Sequence, residues 1–204
     1  RRVLFRSEVL SALREAGVAP RYVHSSASIP VAYKRTEAWG NLVRPGHAIY
    51  GYVSPARGTK PPRAALDVAP ALTWKASILA IKDIEAGQLI GYGGIHRTTK
   101  PIRIAVLAAG YADGIPHRLG NRGQVIARGK LVPIIGAVSM DLTTIDVTDC
   151  PDLRPGDAVK LLGSEGEGGN RVSIDAQQMA RWAGTISYAV LCGIHARVKR
   201  IYVD

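Results

Sequence analysis

The chain has 204 residues, 47% hydrophobic and 21% charged, the make-up of an ordinary soluble protein with one large or two small domains. No window approaches the roughly 18 consecutive apolar residues of a membrane span, and Cys150 and Cys192 lack metal-site or disulfide-framework spacing, so a reducing cytoplasm is expected and no metal. A formal charge of +11 would suit a nucleic acid, but the basic residues are scattered and aromatics are only 6%, so no nucleic-acid partner is expected.

The opening residues RRVLFRS carry no methionine, apolar h-region or cleavage site, and do not read as a signal peptide. VLFRS is what a common sequencing-adapter sequence yields when read through in frame, so an assembly artefact at a truncated 5′ end is expected. Glu8 to Ala16 places Val9, Leu10, Leu13 and Ala16 on one helical stripe, with Gly17 positioned to end it. A short strand at RYVH (21–24) and a second helix from Val31 to Trp39 come next, before the segment NLVRPGHAIYGYVSP. Strand, helix, strand would be the end of an α/β unit.

Residues 54–63, SPARGTKPPR, have three prolines and no apolar periodicity. They read as a linker, which divides the chain into residues 1–63 and 64–204. Beyond it the period becomes two: Leu72, Trp74, Ala76, Ile78 and Ala80 alternate along a strand with one buried face. Short strands recur at Ile102–Ala109, Gln124–Ala127, Val132–Ile135, Thr143–Val147 and Ala158–Leu162, separated by turn residues, as in a small β-barrel or sandwich. Ser173 is placed to cap a helix over IDAQQMARWAG that stops at Gly184, with Asp175 in its first turn. Two final strands are expected, at TISYAVLC and ARVKRIYV.

The segments HSSASIP, VRPGHAIYGYVSP, GYGGIH, GYADG, GAVSMDLTTIDVT, GDAV and GTISYAVL, in this order, resemble the bacterial alanine racemases from about Glu8 to Asp204. That family consists of pyridoxal 5′-phosphate enzymes with an N-terminal (β/α)₈ barrel and a C-terminal β domain. The resemblance therefore implies an α+β, mostly β fold: a C-terminal β-barrel-like domain preceded by the last part of a (β/α)₈ barrel. It implies interconversion of L- and D-alanine through a cofactor aldimine by two-base proton transfer, supplying D-alanine for peptidoglycan.

Residue by residue, the resemblance makes Tyr92 of GYGGIH the second proton-transfer base beside the aldimine lysine. A phenol ionises near pH 10, so this role needs positive neighbours. Arg44 matches the arginine facing the pyridine nitrogen, where a guanidinium that cannot deprotonate weakens the ring as an electron sink. Ser28, the backbone of Gly46 and His47, and the Tyr188 hydroxyl match the phosphate site. Tyr188 also matches a position that holds the catalytic tyrosine and limits substrate size. Met140 and Asp141 match the substrate-carboxylate region, and Tyr111 of GYADG the mouth of the substrate channel. The family shares its sites across a homodimer, with Tyr92, Tyr111, Met140 and Asp141 reaching the partner's barrel.

Departures are also visible. No segment resembles the motif with the aldimine lysine, so none of the chain's lysines takes that role, and the 204 residues alone are expected not to racemise alanine. Ala27, His47, Ala137 and Ala189 replace, respectively, an asparagine, an apolar residue, an arginine and a glutamate common in the family. They bear on local hydrogen bonds and on strictness for alanine. A broader amino-acid or serine racemase of the same fold, and a non-catalytic β-domain serving binding or dimerisation, are the alternative readings.

Overall fold

A computed structural model describes residues 2–55 and 63–203, and most of the expected linker, residues 56–62, lies outside them. The chain divides into two compact units, Arg1–Ala71 and Leu72–Asp204.

In the first unit, helix α1 spans Arg2–Glu15 and is followed by Gly17 at φ +73°, a left-handed position that suits glycine. The second expected helix is broken in two. Helix α2 covers only Ser28–Ala32, Lys34 adopts φ +48°, and a single tight turn follows at Thr36–Ala38. A left-handed residue cannot continue a right-handed helix, which explains the interruption.

The strand expected at RYVH does not form. Gly40 comes so close that a Cβ there would stand 1.8 Å from the Val23 carbonyl oxygen. Asn41 takes the place of a ladder, accepting from Val23 N–H at 2.8 Å and donating to the Arg21 carbonyl at 2.7 Å. Pairing is limited to a parallel bridge between Ala27 and Arg44. No regular strand is present among the described residues of this unit.

The second unit begins with β1, Trp74–Ile84, in which Trp74, Ala76 and Ile78 are buried and the residues between them exposed, as the period of two demands. It continues through β2 (Leu89–Ile90), β3 (His96–Arg97), β4 (Ile102–Leu107), β5 (Gln124–Ala127), β6 (Lys130–Pro133), β7 (Thr143–Asp146), β8 (Ala158–Glu165) and β9 (Val172–Ile174). The main sheet runs β6-β5-β8-β1-β4-β7 with β9 paired to β8, and its pairs are antiparallel.

Two features close this sheet into a barrel. A bridge between Ile134 and Ile145, with Ile135 N–H donating to the Thr144 carbonyl at 3.0 Å, joins the end of β6 back to β7. In β1 the register slips between Ile78 and Ala80, leaving Leu79 as an exposed bulge where the strand passes from β8 to β4. A bulge bends and twists a strand, and closure removes the exposed edges. Ile78, Leu107, Ile126, Ile134, Ile145 and Leu161 are fully buried inside, each contributing about 1.5–3 kcal/mol by leaving water.

Helices α3 (Ala176–Ala183) and α4 (Ser187–Gly193) pack on one another. The cap of α3 is Asp175, whose Oδ1 accepts from Gln178 N–H at 2.7 Å. Ser173, expected in that role, is paired with Ser164 in β9. Gly184 ends α3 at φ +65°.

Both expected terminal strands are corrected. Most of TISYAVLC lies in α4, where Ser187 and Val190 are buried at helical spacing; a short apolar run does not distinguish the two periods. ARVKRIYV forms no strand. The Arg200 guanidinium donates to the carbonyls of Ile194, His195 and Val198, and Tyr202 and Val203 are exposed.

Candidate functional site

The expected site residues fall in both units: Ser28, Arg44, Gly46 and His47 in the first, Tyr92, Tyr111, Met140, Asp141 and Tyr188 in the second.

In the first unit the bridge at Ala27 and Arg44, with Arg44 N–H donating to the Ser26 carbonyl at 2.8 Å, brings the VRPG turn beside the start of α2. Ser28 is buried and does not cap the helix. Its Oγ accepts from Gly46 N–H at 3.0 Å and Ala48 N–H at 3.3 Å. With both lone pairs so used, the hydroxyl has its proton left to donate, which suits an anionic acceptor.

Gly46 has φ −112° and ψ −75°, so its backbone does not demand glycine, and a Cβ there would meet nothing within 4 Å. The missing side chain leaves open space at the turn, while the Gly46 N–H itself is spent on Ser28. His47 is buried and stacked on Tyr52 at 5.2 Å, and burial holds its imidazole below the usual histidine range. The Arg44 residue is exposed.

In the second unit Tyr92 begins the tight turn Tyr92–Gly94 joining β2 to β3, with Gly91, Gly93 and Gly94 all at positive φ. The residue is 78% exposed and, among the described residues, its side chain makes no hydrogen bond, ion pair or ring contact. The base of the hairpin is firmer: buried Thr98 accepts from Gln88 N–H at 2.9 Å and donates to the Glu85 carbonyl at 2.7 Å.

The GYADG and SMD segments are brought together. Tyr111 N–H donates to the Ser139 carbonyl and Ala112 N–H to the Met140 carbonyl, both at 2.9 Å. Gly110 is required there, since a Cβ would stand 2.3 Å from the Ser139 oxygen. The other side of the turn lies against the end of α4, the helix that carries Tyr188: a Cβ on Gly114 would be 2.2 Å from the Gly193 oxygen. Tyr111 meets His117 edge-on at 6.2 Å and lines a cavity of about 390 Å³ with Ile115, Arg118, Thr185 and Ala189. Met140 and Tyr188 are both partly open to solvent, at 54% and 41%.

Asp141, matched to the substrate-carboxylate region, is held in an ion pair. Arg197 donates from Nη2 to Asp141 Oδ1 at 2.7 Å, and from Nε and Nη2 to the two oxygens of Asp113 at 2.7 and 3.0 Å. Burial pushes the Asp113 carboxyl up, but the Arg197 hydrogen bonds, the Gly110 amide and the nearby positive charge outweigh it and hold it below the usual carboxylate range. The same pairing raises Arg197.

Sequence reading missed Asp113, Arg197 and Asn121. Asn121 adopts φ +55° and bonds to both the Tyr92 hairpin and the loop before SMD. Its signal was the Asn-Arg-Gly turn chemistry. Arg197 had none, since its partners lie 84 and 56 residues away. Among the described residues no cluster of His, Cys, Asp or Glu could hold a metal ion, and no helix is long and apolar enough to cross a membrane.

Residues 71–202 match the family model of the alanine racemase C-terminal domain. Alanine racemase of Symbiobacterium thermophilum is 42% identical over 193 residues, covering 95% of this chain and 49% of its own. That of Acidiphilium cryptum is 43% identical over 161 residues, covering 79% and 41%. Among solved structures, alanine racemase from Bacillus anthracis with bound L-Ala-P superimposes with a TM-score of 0.84 at 35% identity, over 97% of this chain and 48% of that one. The Bartonella henselae enzyme with covalently bound pyridoxal phosphate gives 0.75 at 28% identity, over 97% and 52%. The chain spans about half the length of the curated relatives it matches. Its closed antiparallel barrel and the family match over residues 71–202 make it a member of the alanine racemase family, carrying that family's C-terminal domain.

Proposed function

We propose that this chain is the C-terminal portion of an alanine racemase that interconverts L- and D-alanine with pyridoxal 5′-phosphate. The observation carrying this reading is Tyr92: a phenol held out at 78% exposure on a three-glycine turn, with no partner among the described residues, in a domain of this family. A side chain so presented is free to meet a group supplied from elsewhere. That supplier is the barrel of a second copy, which makes the working form a homodimer with shared sites.

The residues of the first unit, taken as the last part of the barrel, fit the cofactor's phosphate. Ser28 has a proton to donate, and glycine at 46 leaves space that a Cβ would fill. The backbone of His47 would complete that site within this unit, and Arg44 would offer the ring nitrogen a permanent positive charge. When bound, the cofactor supplies an electron-accepting ring that makes the α-hydrogen of alanine acidic.

Tyr92 then moves a proton at its phenol oxygen on one face of the substrate, and a lysine of the barrel serves the other. Tyr111 stands beside the cavity it lines and controls entry. The Met140 amide meets the substrate carboxylate. Asp141, paired to Arg197 at 2.7 Å, fixes that loop; a bare carboxylate facing another carboxylate would repel it. The product D-alanine feeds peptidoglycan synthesis in the cytoplasm.

The test is rescue of a bacterium that requires D-alanine by the full-length gene, with purified protein assayed on alanine and serine. Rescue, and turnover of alanine well above serine, is the expected result. No rescue and no turnover would overturn the reading, and equal turnover of serine would make the enzyme a broader racemase.

A further inference from the structure

We infer that Asn121 is the positioning residue for Tyr92, holding the turn that presents the phenol; the inference rests on the role proposed for Tyr92. The turn has little rigidity of its own. Gly91, Gly93 and Gly94 stand at φ +74°, +70° and +56°, and the flanking ladder has only two residue pairs, Leu89 with Arg97 and Ile90 with His96. A two-residue hairpin is marginal in isolation, and glycine carries the largest backbone freedom to be lost. A proton-transfer group, by contrast, must be held close to one geometry.

Asn121 supplies the restraint. Its Nδ2 donates to the Ile95 carbonyl at 3.0 Å, just past the turn, and its Oδ1 accepts from Gly136 N–H at 2.7 Å. The backbone partners fix the amide's orientation, since a carbonyl only accepts and an N–H only donates. Gly136 lies under the hairpin, where a Cβ would be 2.9 Å from the Ile90 oxygen, and a Cβ on Gly91 would be 3.0 Å from Ala137 N. One amide thus ties the Tyr92 turn to the loop that leads into Met140 and Asp141. Asn121 itself adopts φ +55°, a conformation that asparagine tolerates better than most residues. Aspartate would keep the acceptor and lose the donor; glycine would keep the backbone and lose both.

The experiment compares the full-length parent with Asn121→Gly and Asn121→Asp by hydrogen-exchange mass spectrometry and by alanine kinetics. Exchange in residues 91–97 is expected to quicken about tenfold in both variants, and in residues 134–138 only in Asn121→Gly. The turnover number is expected to fall about 10- to 100-fold with KM nearly unchanged. Unchanged exchange in residues 91–97 of Asn121→Asp, uniform loosening of the whole domain, or parental turnover in Asn121→Gly would overturn the inference. A parent that does not racemise alanine would refute the proposed activity instead, and local exchange would still decide whether Asn121 holds the turn.

Discussion

Arg197 grips Asp113 with two hydrogen bonds, 2.7 Å from Nε and 3.0 Å from Nη2, and joins the end of the chain to the turn that carries Tyr111. A fork of parallel donors on a carboxylate gives geometric definition as well as attraction. Because the carboxyl of Asp113 is held below its ordinary range, its contribution to stability is fully present above about pH 4 and is lost as pH falls through the lowered value. Melting temperatures measured from pH 5 down to pH 2 should fall less steeply in Asp113→Asn than in the parent. Parallel curves would mean that the pair does not support the fold.

His47 acts in the same direction at higher pH. Burial lowers its folded value, so below about pH 6.5 the unfolded chain binds a proton that the folded one refuses, and stability drops as pH falls. Replacing His47 with leucine, which keeps an apolar body and removes the titration, should flatten the change in melting temperature between pH 7.5 and 5.5. An unaltered slope would assign that change to other groups.

Gly46 separates folding from cofactor binding. A Cβ at this position meets nothing within 4 Å, so Gly46→Ala should melt at the parental temperature. The same methyl would occupy the space assigned to the cofactor phosphate, so affinity for pyridoxal phosphate, followed by absorbance titration, should weaken about tenfold or more. Parental affinity would remove Gly46 from the site.

How much of this could be read from the sequence depended on how local the physics was. The strand at Trp74–Ile84 and its buried face followed from a period of two, and the strand at Gln124–Ala127 from its flanking turn residues. Barrel closure was only hinted at, because the bridge from Ile134 to Ile145 and the bulge at Leu79 depend on non-local pairing. The eight residues TISYAVLC fit either period as a sequence, and burial of Ser187 and Val190 decides for the helix. RYVH failed through close approach at Gly40, a contact 17 residues away in sequence. For the site, glycine-flanked tyrosines were visible as motifs, and the structure separates them by surroundings: Tyr111 is seated among neighbours, Tyr92 stands clear. Asp113, Arg197 and Asn121 are joined to the site by long-range side-chain bonds that no short pattern records.

The proton-transfer role of Tyr92 is tested most directly by the rate at which the full-length protein forms D-alanine from L-alanine, compared with Tyr92→Phe. The equilibrium between mirror images is unity, so kcat/KM must fall by the same factor in both directions, and one direction suffices for that ratio. The account predicts an active parent, and a variant slower by about 100-fold or more with the same cofactor absorbance and the same melting temperature. An active parent with a phenylalanine variant of equal rate would contradict it.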